Sequence, residues 1–445
     1  MKNIFTHHKQ PNYPYYDIPN AKCNIVIGSA GMGNTSGYTK PVLYNAKPGI
    51  SYIATGFFDD RNFKSSADNC SHKVKYFNFS GRNNSFHYNP LRYIKNAQDA
   101  MELAQIMSDS VSLTSKKEFS VIKHLKDELL AALILYVCEE YKDDWSMRNL
   151  AELDSLLHSS FICQSGFDEI NVNSEAGKLY SHVKEICSSD FLDKLFYELN
   201  VDIMCLKLID KYDILNDDNS FTDVIDFEDI YKEDTIIFIN EYIDDISSSY
   251  SYTFIASAFV NQAMNAYRKK QESSNKVRFV LDEFQSLYIP DLNDKIEAVT
   301  KNNCEVDIIS QSFYQIADAP KIIDLCDNII CMGTIDCNAA KLIYALSNIN
   351  VFKLSATECI VIEKDNNITH DNIMKIVSYN KKKKCIFYSP YSSRSVLFSF
   401  FFFSSFFTYL MVVLMFACPS TLCVYTKSRL LSYTFVAHEL LRECA

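Results

Sequence analysis

Two textures alternate along this chain. Short runs of consecutive apolar residues stopped by Gly, Asn, Asp or Ser flank a long stretch in which apolar residues recur every three or four positions. The first run, Cys23–Ile27, ends at Gly28 and reads as a strand buried on both faces. A helix is expected from about Thr35 to Asn45, followed by strands at Ser51–Thr55 and Lys73–Phe79. From about Ala97 to Leu215 Gly and Pro nearly vanish, and Val121–Tyr136 repeats with helical periodicity, so an all-helical insertion is expected there. Strand texture returns at Thr235–Asn240, Val277–Leu281, Val306–Ser310, Asn328–Met332 and Glu358–Ile362, with a helical pattern through Tyr252–Gln271. Strands alternating with helices predict an α/β fold whose mostly parallel sheet is covered on both faces.

Composition changes this picture little. With 445 residues, 48% hydrophobic and 22% charged, the chain is long enough for more than one domain and ordinary for a folded protein. A net charge of −11 and a pI near 5.4 argue against coating nucleic acid over the whole surface, a task that needs Lys and Arg facing phosphates. A local basic channel is compatible with that balance. Fifteen cysteines are scattered without a C-x-x-C pair and read as reduced thiols; Cys326, Cys331 and Cys337 read as core rather than metal ligands. Met1–Pro19 is too polar and proline-rich for a signal peptide or membrane helix.

The carboxy end departs from all of this. After the Lys381–Lys384 run there is no charged residue from Ser395 to Thr426, and Val396–Cys418 is almost wholly apolar. As a helix it would span about 35 Å, enough for a hydrocarbon core of about 30 Å. Two readings stay open for residues 381–445: a membrane anchor through 396–418, or a frame artefact arising at the lysine run.

The candidate chemistry lies at strand ends. Gly28-Ser29-Ala30-Gly31-Met32-Gly33-Asn34-Thr35 sits between a predicted strand and a predicted helix, the setting of a phosphate-binding loop, G-x-x-x-x-G-K-[ST]. Gly28, Gly31 and Gly33 would let the backbone wrap phosphates, the helix start favours anions, and the Thr35 hydroxyl suits Mg²⁺; the lysine position holds Asn34. Val277–Leu281 ends in Asp282 and Glu283, where a P-loop NTPase places one acid on Mg²⁺ and a second beside the attacking water.

The wording of these segments resembles a family. Tyr88-Asn89-Pro90-Leu91, Leu281-Asp282-Glu283-Phe284, Ile308-Ile309-Ser310-Gln311-Ser312 and Cys326–Thr334 are similar, in order and spacing, to segments of the TraG/TraD-like coupling proteins of type IV secretion systems. The resemblance covers about residues 22–350. It implies a RecA-like P-loop NTPase, usually hexameric, with ATP and Mg²⁺ as cofactors and Gln311 sensing the γ-phosphate. Residues 1–94 and 216–380 would form the nucleotide-binding domain and 95–215 the inserted, substrate-facing all-helical domain. Implied partners are single-stranded DNA or a relaxase–DNA complex and other secretion subunits, at the bacterial cytoplasm or the cytoplasmic face of the inner membrane.

Departures from the family qualify that expectation. Asn34 lacks the cation, the D-P-K-G turn reads Thr55-Gly56-Phe57-Phe58, and the family's amino-terminal membrane helices have no counterpart before the loop. Lys40, in a phrase that resembles the family's own, is no evident substitute for the missing lysine. The leading expectation is a coupling-protein-like component with weakened hydrolysis. Its rivals are a competent DNA-translocating ATPase using another cation such as Arg61, and a non-catalytic adaptor or decaying homologue.

Overall fold

The computed structural model describes residues 21–56, 72–78, 86–111, 121–144, 147–158, 170–204, 225–240, 246–268, 276–316, 319–347, 350–353, 358–363 and 375–380. Backbone contacts divide the chain into Met1–Lys383 and Lys384–Ala445, and the expected membrane-anchor segment 396–418 lies outside the described residues. Among the described residues no helix is long and apolar enough to cross a membrane.

Nine strands form one sheet: β1 (Cys23–Gly28), β2 (Ile50–Gly56), β3 (Lys73–Asn78), β4 (Thr235–Asn240), β5 (Lys276–Leu281), β6 (Cys304–Ser310), β7 (Asn328–Gly333), β8 (Glu358–Glu363) and β9 (Lys375–Asn380). Their order is β3-β4-β2-β5-β6-β1-β7-β8-β9. All pairs from β3 to β7 are parallel, whereas β7–β8 and β8–β9 are antiparallel. The sheet is thus mostly parallel, as the alternating pattern predicts, with an antiparallel edge. β9 is an element that the apolar runs do not announce; the sequence reading ends its strands near Ile362.

The central strands are mostly apolar because both faces are covered, with Asn24, Arg278, Asp307 and Asn328 as buried polar exceptions. In β1, Ile25 and Ile27 point into the larger core, shared with the helical block, while Val26 packs with Tyr38, Val42 and Leu43 on the other face. The expected Thr35–Asn45 helix is split into a π-helical turn, Thr35–Thr39, and α1 (Lys40–Tyr44), where Pro41 is tolerated because it lies in the first turn.

The helical block contains α2 (Ala97–Val111), α3 (Val121–Glu140), α4 (Leu150–His158), α5 (Glu175–Ile186) and α6 (Ser189–Met204). It packs against α7 (Ile246–Arg268), which follows β4, and belongs to the same compact unit as the sheet. The buried Tyr88–Leu91 segment leads into it. Tyr88 donates to Gln262 Oε1 on α7 at 2.6 Å, Gln262 returns a bond to Pro90 O at 2.9 Å, and Arg148 holds the carbonyls of Leu91 and Ile94. Around this turn Phe259 meets Tyr88 and Phe227 edge to face, Tyr93 and Phe227 are tilted, and Tyr88 stacks on Tyr93. After β5 come α8 (Leu292–Lys301), α9 (Ala319–Leu325) and α10 (Cys337–Ser347). Lys295 on α8 forms a buried ion pair with Glu102 on α2 at 3.1 Å, and Asn261 and Asn265 also donate to that carboxylate. Burial pulls the Lys295 ammonium below its ordinary range, while the cation and two amides outweigh burial at Glu102 and hold its carboxyl low.

Candidate functional site at the carboxyl ends of the sheet

The chain leaves β1 for β2 on one side and enters β7 from β6 on the other, so the crevice beyond Gly28 lies where the strand order reverses. Open parallel sheets bind ligands at that place. Gly31 and Gly33 have φ of 80° and 95°, a region a side chain would strain, and they bend the loop between β1 and the π-helical turn. Ser29 anchors the loop to the next strand: its N–H donates to Gly333 O at 3.0 Å, and its Oγ lies 3.3 Å from Thr334 Oγ1.

Asn34 points inward. Its Nδ2 donates to Gly28 O at 2.6 Å and to Ser310 O at 3.4 Å, while Oδ1 is buried without a hydrogen-bond partner. A Cβ at Gly28 would sit 2.1 Å from that oxygen and 2.9 Å from Met332 Cβ, so a larger residue there would displace the Asn34 side chain and crowd β7. The side chain therefore braces β1 to β6. It does not extend toward the space the loop encloses, and an amide carries no charge to place there.

β5 delivers the two acids. Asp282 is 2% exposed; Thr39 Oγ1 donates to its Oδ2 at 2.9 Å, and the Thr35 hydroxyl, one turn earlier, also acts on this carboxyl. Burial raises the Asp282 carboxyl above the usual range, against the lowering effect of those hydroxyls and the Glu283 N–H. A cation would offset that burial, and Thr35 with Asp282 presents the hydroxyl and carboxylate oxygens that Mg²⁺ prefers. The residues fit the ion in donor type. They fit the triphosphate incompletely, because the loop lacks its cation.

Glu283 stands in the left-handed region, φ 51° and ψ 43°, which is uncommon for a residue with a Cβ. The turn brings its carboxylate to β6, where Gln311 Nε2 donates to Oε2 at 3.1 Å. Gln285 Nε2 donates to the same oxygen. The geometry therefore gathers Thr35, Asp282, Glu283 and Gln311 beside the glycine loop, while Asn34 is turned away. Thr39 and Gln285 are absent from the sequence reading. Thr39 carried a signal, since it follows Thr35 by four residues on one helical face; Gln285 carried none, because its approach depends on the backbone reversal at Glu283.

A second polar network lies deeper, in the middle of the strands. Arg278 on β5 binds Asp307 on β6 through Nε at 2.6 Å and Nη2 at 3.0 Å. Tyr38 and Asn24 add bonds to Asp307 at 3.0 and 2.8 Å, and Asn328 donates to Asn24 at 2.8 Å. Burial draws the Arg278 guanidinium down, but Asp307 more than offsets this and keeps it charged; the Tyr38 phenol is pushed up by burial and by Asp307. This network seats the π-helical turn on the sheet. Among the described residues no group of three or more His, Cys, Asp or Glu could hold a metal; Cys326 and Cys331 are buried, and Cys337 is exposed. Residues 57–71, with Phe57, Phe58 and Arg61, lie outside the described residues.

Residues 211–343 match the family described as type IV secretory system conjugative DNA transfer. No curated protein sequence matches the chain. Among solved structures, the plasmid coupling protein TrwB in complex with the non-hydrolysable ATP analogue ADPNP is similar, with TM-score 0.58 and 14% identity over 82% of this chain and 86% of that one. TrwB with the GTP analogue GDPNP gives 0.53 and 12% identity over 82% and 86%. The bacterial conjugative coupling protein TrwBΔN70, unbound, gives 0.52 and 15% over 81% and 77%. At such identities the structures speak for a shared fold, and the matched stretch contains the Asp282-Glu283 and Gln311 segments on which the resemblance rests. Residues 211–343 thus match conjugative DNA-transfer proteins of type IV secretion, and the described fold is similar to that of the P-loop coupling protein TrwB.

Proposed function

We propose that this protein presents DNA or a DNA–protein complex to the channel of a conjugative or type IV secretion system, holding a nucleotide at the Gly28–Thr35 loop and hydrolysing it weakly. One observation carries this reading: Thr35, Asp282, Glu283 and Gln311 converge on the loop while Asn34 is turned inward onto Gly28 O. ATP with Mg²⁺ is the cofactor class that such a set suits, and TrwB, whose fold is similar, is known bound to ADPNP. In this assignment the loop glycines and Thr35 hold the phosphates, Asp282 and Thr35 hold Mg²⁺, Glu283 orients water and Gln311 meets the γ-phosphate. Without a lysine the site forgoes a contact worth roughly 5 kcal/mol before desolvation, at about 3 Å and an effective dielectric near 20. The helices between 95 and 215 are the substrate-facing part, and six chains would form the ring.

Calorimetric titration with ATP and Mg²⁺ tests the site. Asn34→Lys is expected to bind more tightly than the wild type, and equal affinities would remove Asn34 as the cause of weakness. Hydrolysis measured with and without single-stranded DNA separates a weak motor from a non-catalytic adaptor. Strong DNA-stimulated turnover in the wild type would instead favour the competent ATPase, a reading that the intact Glu283–Gln311 pairing supports. Association with the cytoplasmic face of a membrane is tested by fractionating cells that express the full chain and a chain ending at Asn380, which retains β9.

A further inference from the structure

Gln285 has no place in the roles above, yet it touches the residue on which hydrolysis would depend. The left-handed backbone at Glu283 folds the chain back: Ser286 N–H donates to Glu283 O at 2.8 Å, closing a turn that returns Gln285 to the Glu283 carboxylate. Gln285 Nε2 donates to Glu283 Oε2, the oxygen that Gln311 Nε2 reaches from β6 at 3.1 Å. Its own Oε1 lies 3.4 Å from Ser310 Oγ, one of three oxygens within reach of that hydroxyl's single proton. Two amides from different strand ends thus meet on one carboxylate oxygen. Among the described residues Oε1 of Glu283 has no partner, and it is not among the buried unpaired atoms.

We infer that Gln285 is a positioning residue for Glu283, anchoring Oε2 together with Gln311 so that Oε1 faces the attacking water. The inference rests on the proposed hydrolytic reading of this site. A carboxylate fixed through one oxygen keeps the other oriented, and orientation of a base within hydrogen-bond reach of its proton is what general-base assistance requires. In the step it serves, water oxygen bonds to the γ-phosphorus as the bond from that phosphorus to the β,γ-bridging oxygen breaks. The water proton passes to Oε1, the products are ADP and inorganic phosphate, and Glu283 then releases the proton to solvent. Gln311 retains a second amide proton, so it can contact an anion without releasing Glu283.

The test is single-turnover hydrolysis of radiolabelled ATP by the full chain, alongside ADPNP affinity by calorimetry, for the wild type, Gln285→Met, Gln285→Glu and Glu283→Gln. Gln285→Met keeps the length without the donor, and Gln285→Glu keeps the shape but replaces the donor with a like charge. Both are expected to lose tenfold or more in rate with ADPNP affinity and melting temperature unchanged, affinity within twofold. A merely structural role would lower affinity and melting temperature together with the rate, which would overturn the inference. If Glu283→Gln abolishes turnover while Gln285→Met does not, the inference alone falls. If Glu283→Gln hydrolyses ATP like the wild type, the hydrolytic reading and the inference fall together.

Discussion

The two polar networks of this sheet differ in how completely they are satisfied. In the strand middles, Arg278, Asp307, Tyr38, Asn24 and Asn328 form a closed set in which the Asp307 carboxylate accepts four hydrogen bonds. At the carboxyl ends, Asn34 Oδ1 is buried without a partner, Glu283 stands in a left-handed backbone, and Asp282 is buried with its carboxyl raised. A network built for stability has no reason to leave such deficits, because an unpaired buried polar group costs about 1–3 kcal/mol. Deficits of this kind persist where a ligand completes them or where strain serves chemistry. Within the sheet, the difference sets the closed network apart from the strand-end cluster.

Breaking the closed network has the largest expected effect. Asp307→Ala leaves Arg278 charged and buried, and should cost about 3–5 kcal/mol, read as a shift in denaturant midpoint. A loss below about 1 kcal/mol would mean that the network is not the framework. At the strand ends the expectation reverses: Glu283→Gln should lower turnover on the order of 100-fold with stability changed by less than about 0.5 kcal/mol. Asn34→Lys combines both regions. It gives up the bonds to Gly28 O and Ser310 O, a loss of about 1 kcal/mol in stability, and should tighten ATP binding on the order of tenfold. Parallel thermal melts and titrations would show whether the two changes occur together.

The helical block supplies a third case, smaller in effect. Asp127 is 3% exposed with Oδ1 unpaired, and burial pushes its carboxyl up to about 6 despite Ser108, Lys123 and Lys126, with Asp109 also raising it. Its unfolded value is about 3.9, so the folded state binds the proton more tightly. The resulting stability is fully present below about pH 4 and is lost as pH rises through about 6. Asp127→Asn removes that loss, so its effect on stability should be more favourable at pH 8 than at pH 4 by about 2 kcal/mol, while the burial of the replacement amide shifts both values alike. Melting curves at the two pH values decide it.

Much of the fold was legible because its strands are buried on both faces. Predominantly apolar runs at Cys23–Ile27, Thr235–Asn240, Val277–Leu281 and Asn328–Met332 leave little alternative, and the observed strands begin and end within one residue of these runs. β9 was not legible, since Lys375–Asn380 mixes polar and apolar residues at a sheet edge. Of the site, the residue types were readable from motif and spacing. Thr39 was signalled only by its four-residue spacing from Thr35, and Gln285 not at all, because its contact is set by a positive φ at Glu283 that residue type does not announce.

The sequence by itself determined that the chain builds a mostly parallel sheet, that a glycine loop and two acids lie at strand ends, and that the loop lacks its cation. These follow from local pattern and from the chemistry each side chain carries. Only the tertiary structure decided where those groups face. The insertion of β6 between β1 and β5 brings Gln311 to Glu283, and the approach of Gly28 and Ser310 captures the Asn34 amide. The first contact joins residues 28 apart in sequence and the Asn34–Ser310 contact residues 276 apart, and both depend on which strands become neighbours. The physical reason is that hydrogen bonds are decided within about 3 Å, a distance that only packing of the whole sheet can set.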